Sequence, residues 1–380
     1  MREYTAVVLA GGVGSRLRPL TTHRPKPLVP VANWTMLDYN LFLLKQTGIK
    51  KTVIVVKYLG EQIREYINEK VKDESRYGSM EIIIPEVDPL DTADAVRKVA
   101  DFIEGPFIVT MADIVTSIDM KDFIHFHETK GGIASISLKS IDQPKSFGVI
   151  LLSADNEILL FLEKPIAREL YLTTLAFSHR KTVHLEANLV NTGMYIFEKE
   201  LINLLNDFDD LMDFGKHVFP FILQQKDKIF GYMPSYDYYW MDCGTSQKYL
   251  WANADVLRRW SWPYLPRGNE PEPDFWVGNV TAIHPSAEIQ KPVTIGDNTV
   301  IGENTKVRNL SVIGDECRIG NGVTIDHSVI WDNVTIGDGC EVTGSIICDG
   351  AVLKSGIKVA GCVIERNENV KNDREGNLEN

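Results

Sequence analysis

The chain has 380 residues, 44% hydrophobic and 24% charged, enough for one large α/β domain and a smaller one. A formal net charge of −12 with no outstanding basic run argues against a nucleic-acid binder, so an anionic small ligand must be held by a few placed cations and backbone amides. No apolar run reaches the ~20 residues of a membrane span, Ala6–Ala10 is too short for a signal peptide, and the five cysteines (Cys243, Cys317, Cys340, Cys348, Cys362) form no CxxC pair, so a soluble, cytoplasmic protein with reduced thiols and no membrane partner is expected.

In chain order, Thr5–Leu9 reads as a buried strand, Met36–Gln46 as a crossover helix, Thr52–Val56 as a strand and Gly60–Val71 as a second helix. Glu81–Ile84 and Pro106–Thr110 follow as strands. This alternation, running to about Glu200, is the pattern of parallel strands joined by crossover helices, and such sheets bind ligands beyond the carboxyl ends of their strands. Trp262–Pro273 is rich in proline and reads as a linker. From about residue 285 the period changes. Ile289, Ile295, Ile301, Val307, Ile313, Ile319 and Ile325 recur every six residues, slip near Trp331 and resume at Ile336 and Val342. A helix cannot keep that interval on one face, so a three-sided β-solenoid of some five turns is predicted, with glycines such as Gly296, Gly302, Gly314 and Gly320 expected at sharp corners. The predicted division is 1–260, a linker over 261–280, the hexapeptide solenoid over 281–366, and a polar, frayed tail over 367–380.

Directly after the first strand comes Leu9-Ala10-Gly11-Gly12-Val13-Gly14-Ser15-Arg16-Leu17-Arg18-Pro19-Leu20. Its glycines allow backbone amides close to a polyphosphate, and Arg16 can add a charge-assisted contact. It matches neither the dinucleotide fingerprint nor the GxxxxGK[ST] loop. With Arg24-Pro25-Lys26-Pro27-Leu28 it resembles the signature of sugar-1-phosphate nucleotidyltransferases. Further segments resemble that family in the same order: Asp91-Thr92-Ala93-Asp94-Ala95, Ala112-Asp113, Phe147-Gly148-Val149, Glu163-Lys164-Pro165, Asn191-Thr192-Gly193 and Trp240-Met241-Asp242-Cys243-Gly244-Thr245. The resemblance implies a Rossmann-like, mostly parallel α/β sheet followed by a left-handed parallel β-helix.

The activity it implies is transfer of a nucleoside monophosphate from a nucleoside triphosphate to a sugar 1-phosphate, with pyrophosphate leaving. Both reactants are anionic, so catalysis is alignment plus charge neutralisation and needs no protein nucleophile. By resemblance, Arg16, Lys26, Asp113 and Asp242 are the catalytic set, and Asp113 and Asp242 would hold Mg²⁺, an ion suited to hard oxygen ligands. Leu9, Ala10, Gly11, Gly12, Gly14, Ser15, Arg16, Lys26, Glu86, Asp91, Thr92 and Ala112 would bind the nucleotide. Gly148, Glu163, Lys164, Asn191 and Thr192 would bind the sugar phosphate, Lys164 at the phosphate and Glu163 at the sugar hydroxyls.

A carboxylate at Glu86 can accept both N1–H and N2–H of guanine, which favours GTP, and Arg24–Val31 resembles mannose-1-phosphate guanylyltransferases. Thr92–Val96 and Asp213–Lys216 resemble glucose-1-phosphate adenylyltransferases instead, so adenylyl, uridylyl or thymidylyl transfer to glucose 1-phosphate stays open. The family usually has glycine at Asp91 and often at Ala112. Asp91 brings a carboxylate toward an anionic nucleotide unless it turns away, which keeps a weak regulatory homologue in view. The solenoid is expected to join subunits into a homo-oligomer; the alternative is acyl transfer through His327.

Overall fold

The computed structural model describes residues 2–70, 74–141, 149–162, 183–184 and 189–378. The chain groups into two compact units, Met1–Gly12, Asn40–Ala112 and Ile118–Trp240 in the first, and Val13–Tyr39, Asp113–Ser117 and Met241–Asn380 in the second.

In the first unit the sheet runs in the order Ile158–Leu162, Val149–Ser153, Leu189–Phe197, Phe107–Met111, Thr5–Ala10, Lys51–Val56, Glu81–Ile83. Thr5–Ala10 lies parallel to both Lys51–Val56 and Phe107–Met111, pairing Leu9 with Val55 on one side and Met111 on the other. These strands read as unbroken apolar runs because both of their faces are covered. The chain leaves the central strand in one direction and returns on its opposite side, so the carboxyl ends of Thr5–Ala10 and Phe107–Met111 form the switch point where such sheets take ligands. Ala112 N–H donates to Leu9 O there, at 3.0 Å.

The helices Met36–Thr47 and Gly60–Lys70 fall where the apolar spacing puts them. Beyond Met111 the parallel pattern gives way: Leu189–Phe197 runs antiparallel to Phe107–Met111 and to Ala134–Ser140. Hydrophobic periodicity marks a strand but not its direction, so this flank was illegible.

In the second unit the hexads build a parallel β-helix with three faces. Val293–Ile295, Ser311–Ile313, Val329–Ile330 and Ile346–Ile347 lie on the first face. Val300–Ile301 and Arg318–Ile319 lie on the second, Lys306–Val307 and Thr324–Asp326 on the third. The second and third faces have six strands each, so there are six coils rather than five. Face strands run from Phe275–Val277 to Arg374–Glu375, into the segments read as linker and tail. Ile295, Ile301, Val307, Ile313, Ile319 and Ile325 all point into one buried core.

The slip near Trp331 is a change of coil length. Ile295 pairs with Ile313, eighteen residues on, whereas Ile313 pairs with Ile330, seventeen on. The lost residue comes from the corner between the third and first faces, which His327, Gly344 and Gly361 now turn with left-handed backbones at φ 46, 54 and 60°. His327 Nδ1 lies 2.6 Å from the carboxylate of its neighbour Asp326.

The glycine expectation needs correction. Gly296, Gly302, Gly314 and Gly320 are absent from the left-handed positions, which Asn298, Asn304, Leu310, Glu316 and Asn333 fill instead. A Cβ on Gly302 would sit 2.6 Å from the backbone carbon of Gly320 in the next coil. These glycines are there for coil stacking, not for the corner.

Candidate active site

The second unit contains a carboxylate–lysine cluster, and its local backbone explains how it forms. Gly14 is left-handed at φ 64° and precedes the short helical turn Ser15–Leu17. Its carbonyl accepts hydrogen bonds from Leu17 N–H at 2.9 Å and Thr21 Oγ1 at 2.8 Å. A Cβ on Gly14 would lie 3.1 Å from Thr21 Cγ2 and 3.2 Å from Lys26 Cβ, so the missing side chain lets the lysine stem pass. Lys26–Leu28 is a single 3₁₀ turn with Pro25 before it and Pro27 inside it, which fixes two backbone φ angles beside the lysine.

Lys26 is buried, and its Nζ donates to Asp113 Oδ2 at 2.6 Å and to Asp242 Oδ1 at 3.1 Å. Asp113 leads into the strand Ile114–Thr116, and Asp242 ends the strand Trp240–Asp242 that pairs with it. Arg16, largely exposed, places Nη2 3.8 Å from Asp242 Oδ2. A Cβ on Gly244 would crowd both partners, at 3.1 Å from Asp242 Oδ2 and 3.2 Å from Arg16 Nη2. Burial, the largest influence on Lys26, works against its charge. Asp113 and then Asp242 outweigh it and hold the ammonium well above the ordinary lysine range. Burial likewise pushes the neighbouring Cys243 thiol up, so it stays protonated and unreactive. Two cations and two anions thus stand together, with the lysine locked charged.

Most of the remaining expected residues fall in the first unit. Leu9 and Ala10 end the central strand. A Cβ on Gly11 would meet Lys57 Cβ at 3.2 Å, whereas Gly12 faces open space. Lys57, one residue past the strand Lys51–Val56, was missed; its Nζ donates to Pro89 O at 2.7 Å and pairs with Asp88 at 3.0 Å. Its position just past the carboxyl end of a buried strand is the signal that could have found it.

Asp91 is engaged within its own segment. Its carboxylate accepts from Thr92 N–H at 2.9 Å, capping the helix Thr92–Lys98, whose Ala93 and Asp94 amides donate to Met212 O. Thr92 Oγ1 accepts from Phe214 N–H at 3.1 Å. Glu86 is exposed beyond the end of Glu81–Ile83. Asn191 and Thr192 sit at an irregularity in the strand Leu189–Phe197. Asn191 Oδ1 accepts from Gly193 N–H at 2.9 Å, and the buried Thr192 hydroxyl donates to Ser137 O at 2.9 Å. Ser15 belongs to the short turn after Gly14 in the second unit. Gly148, Glu163 and Lys164 lie outside the described residues.

The sequence profile of the nucleotidyl transferase family matches residues 5–259, and that of the EIF2B subunit epsilon LbH domain matches residues 274–375. A UTP–glucose-1-phosphate uridylyltransferase of Synechocystis sp. is 31% identical over 338 residues, covering 85% of this chain and 81% of that protein. A mannose-1-phosphate guanyltransferase of Eremothecium gossypii is 31% identical, covering 74% and 72%. A mannose-1-phosphate guanylyltransferase of Mycobacterium tuberculosis is 28% identical, covering 85% and 83%.

Proposed function

This chain belongs to the nucleotidyl transferase family, with a left-handed β-helix after the transferase domain, and from that membership and the Lys26 cluster we propose that it converts GTP and mannose 1-phosphate into GDP-mannose and pyrophosphate. The observation that carries the reading is the convergence of Asp113 and Asp242 on the buried ammonium of Lys26. Guanylyl transfer is favoured because mannose-1-phosphate guanylyltransferases are prominent among the relatives and because Glu86 can accept both guanine N–H groups. Uridylyl transfer to glucose 1-phosphate is the second reading, favoured by the Synechocystis relative.

A phosphate oxygen of the sugar 1-phosphate attacks the α-phosphorus, the bond from that phosphorus to the bridging β-oxygen breaks, and pyrophosphate departs with the electron pair. No proton has to be transferred. Asp113 and Asp242 supply hard oxygens from two strands, a pair rather than a closed cage, and no cluster of three or more metal-binding side chains occurs among the described residues. Such a pair suits Mg²⁺, which keeps several waters and binds substrate phosphates. When bound, Mg²⁺ would neutralise phosphate charge between them. Lys26 offsets the charge developing on the α-phosphate, and Arg16, exposed beside the glycine loop, takes the phosphates that leave. Leu9, Ala10, Gly11, Gly12, Gly14, Ser15, Thr92 and Ala112 contribute backbone or shape to the nucleotide site, while Lys164 and Glu163 take the sugar phosphate with Gly148 and Asn191.

No helix among the described residues is long and apolar enough to cross a membrane; a cytoplasmic site of action is part of the proposal. So is self-association through the second face of the β-helix, where Val300 and Val352 are exposed. His327 is given a structural part at its corner instead of acyl transfer.

The purified chain, tested with five nucleoside triphosphates and several sugar 1-phosphates in Mg²⁺, should release pyrophosphate fastest with GTP and mannose 1-phosphate. Fastest release with UTP and glucose 1-phosphate would select the second reading.

A further inference from the structure

The loop that carries Lys26 is fastened to the β-helix at one end directly and at the other through Tyr249 of the helix Ser246–Leu257. On one side, Arg24 Nη2 donates to Asp349 Oδ2 at 2.8 Å, and its guanidinium lies 4.8 Å from the centre of the Trp331 ring. On the other, Pro30 O accepts from Tyr249 Oη at 2.5 Å, and that hydroxyl accepts from Trp331 Nε1 at 2.9 Å. Trp331 and Asp349 come from successive coils, and Trp331 is 2% exposed. One indole therefore contacts Arg24 directly and reaches Pro30 through the Tyr249 hydroxyl.

Little slack remains between those anchors. Pro25, Pro27 and Pro30 fix their φ angles, Leu28 N–H donates to Pro25 O at 2.9 Å, and Val29 N–H donates to Lys26 O at 3.0 Å. A displacement at Arg24 is carried two residues along a stiff turn to Lys26, whose Nζ is held to two carboxylates. Asp349 gives the anchor its strength. Its Oδ1 is buried with no hydrogen-bond partner among the described residues, so the contact to Arg24 is what compensates the carboxylate.

We propose that Arg24 is a positioning residue for Lys26, through which the Trp331 and Asp349 coils of the β-helix set the geometry of the carboxylate–lysine cluster. The β-helix then takes part in the reaction by holding a catalytic side chain in place. This rests on the role given to Lys26 above. Misplacing a reacting group by about 1 Å costs on the order of 100-fold in rate, so the effect belongs in turnover.

The test uses the full chain with two readouts, one independent of activity. The first is steady-state pyrophosphate release by the wild type, Arg24→Ala, Arg24→Lys, Asp349→Asn and the Arg24→Ala/Asp349→Asn double variant. Arg24→Ala should lower kcat roughly 10- to 100-fold with KM for the sugar phosphate near wild type. Arg24→Lys, which keeps the ion pair, should recover part of the loss, and the double variant should lose no more than the Arg24 variant. The second is the acylation rate of Lys26 by acetic anhydride, followed by peptide mass spectrometry, which should rise in Arg24→Ala while buried lysine-free regions keep their near-ultraviolet dichroism. A wild type inactive on every substrate pair refutes the proposed function, whereas the acylation readout still decides the role of Arg24. Unchanged kcat and unchanged Lys26 reactivity, or multiplicative losses in the double variant, overturn the positioning role.

Discussion

Lys26 Nζ lies 2.6 Å from Asp113 Oδ2, across 87 residues of sequence, and 3.1 Å from Asp242 Oδ1, across 216. Asp113→Asn and Asp242→Asn should each lower turnover by orders of magnitude without unfolding the protein, because each removes a proposed hard oxygen ligand of Mg²⁺ and a partner of the lysine. Kinetics with Mg²⁺ titrated in each variant check this. Turnover close to wild type in either one removes that carboxylate from the site.

Gly244→Ala should impair catalysis far more than stability. Its methyl would stand 3.1 Å from Asp242 Oδ2 and 3.2 Å from Arg16 Nη2, so the carboxylate has to move a few tenths of an ångström. A fall in kcat with a melting temperature within a few degrees of wild type is expected. An unchanged kcat shows that Asp242 tolerates displacement.

The two kinds of solenoid glycine give a paired comparison. Gly322→Ala meets open space and carries only the strain of its φ of 65°, worth about 1–2 kcal/mol. Gly302→Ala drives a methyl into the Gly320 backbone of the next coil and should cost more, about 3 kcal/mol or above, since a backbone cannot swing aside as a side chain does. Urea unfolding of both variants tests the order. Equal costs would contradict the stacking explanation.

Asp332 gives a pH dependence with a defined sign. Burial, the largest influence, raises its carboxyl above the ordinary 3.8, against the lowering effect of the Asp315 amide and Arg24. The folded state therefore binds this proton more tightly than the unfolded chain. Stability from this group is fully present below pH 3.8 and is lost as pH rises through the folded value. Asp332→Asn should raise the melting temperature at pH 7, with the gain shrinking toward pH 4. A gain independent of pH would show that charge is not the cause.

Glu86→Gln should reduce GTP use more than use of other nucleotides, because an amide cannot accept two guanine N–H bonds in the same geometry. Competition between GTP and UTP under one set of conditions measures it. An equal loss for both bases removes Glu86 as the base reader.

The β-helix was legible because its signal is a repeat: Ile289 to Ile325 keep one interval and enter one core. Its shortened corner was visible as a slip at Trp331, but the slip did not say which corner had lost a residue. The central strands were legible as apolar runs, whereas the antiparallel course of Leu189–Phe197 depends on connections that periodicity does not encode. In the site, Lys26, Asp113 and Asp242 were found through motifs resembling a family, since no spacing rule joins positions so far apart. Arg24 stands in its motif with no role implied by the resemblance, because Trp331 and Asp349 reach it only in the folded chain. From sequence the solenoid is expected to serve assembly, with acyl transfer as the alternative; the fold adds a contact between Asp349 and Arg24 of the Lys26 loop.

The most direct test of the account is pyrophosphate release from GTP and mannose 1-phosphate in Mg²⁺, measured side by side for the wild-type chain and Asp113→Asn. Rapid release by the wild type, abolished by excess chelator and reduced by orders of magnitude in the variant, is the predicted result. Release that survives both the chelator and the substitution would contradict a metal-dependent transfer centred on Lys26, Asp113 and Asp242.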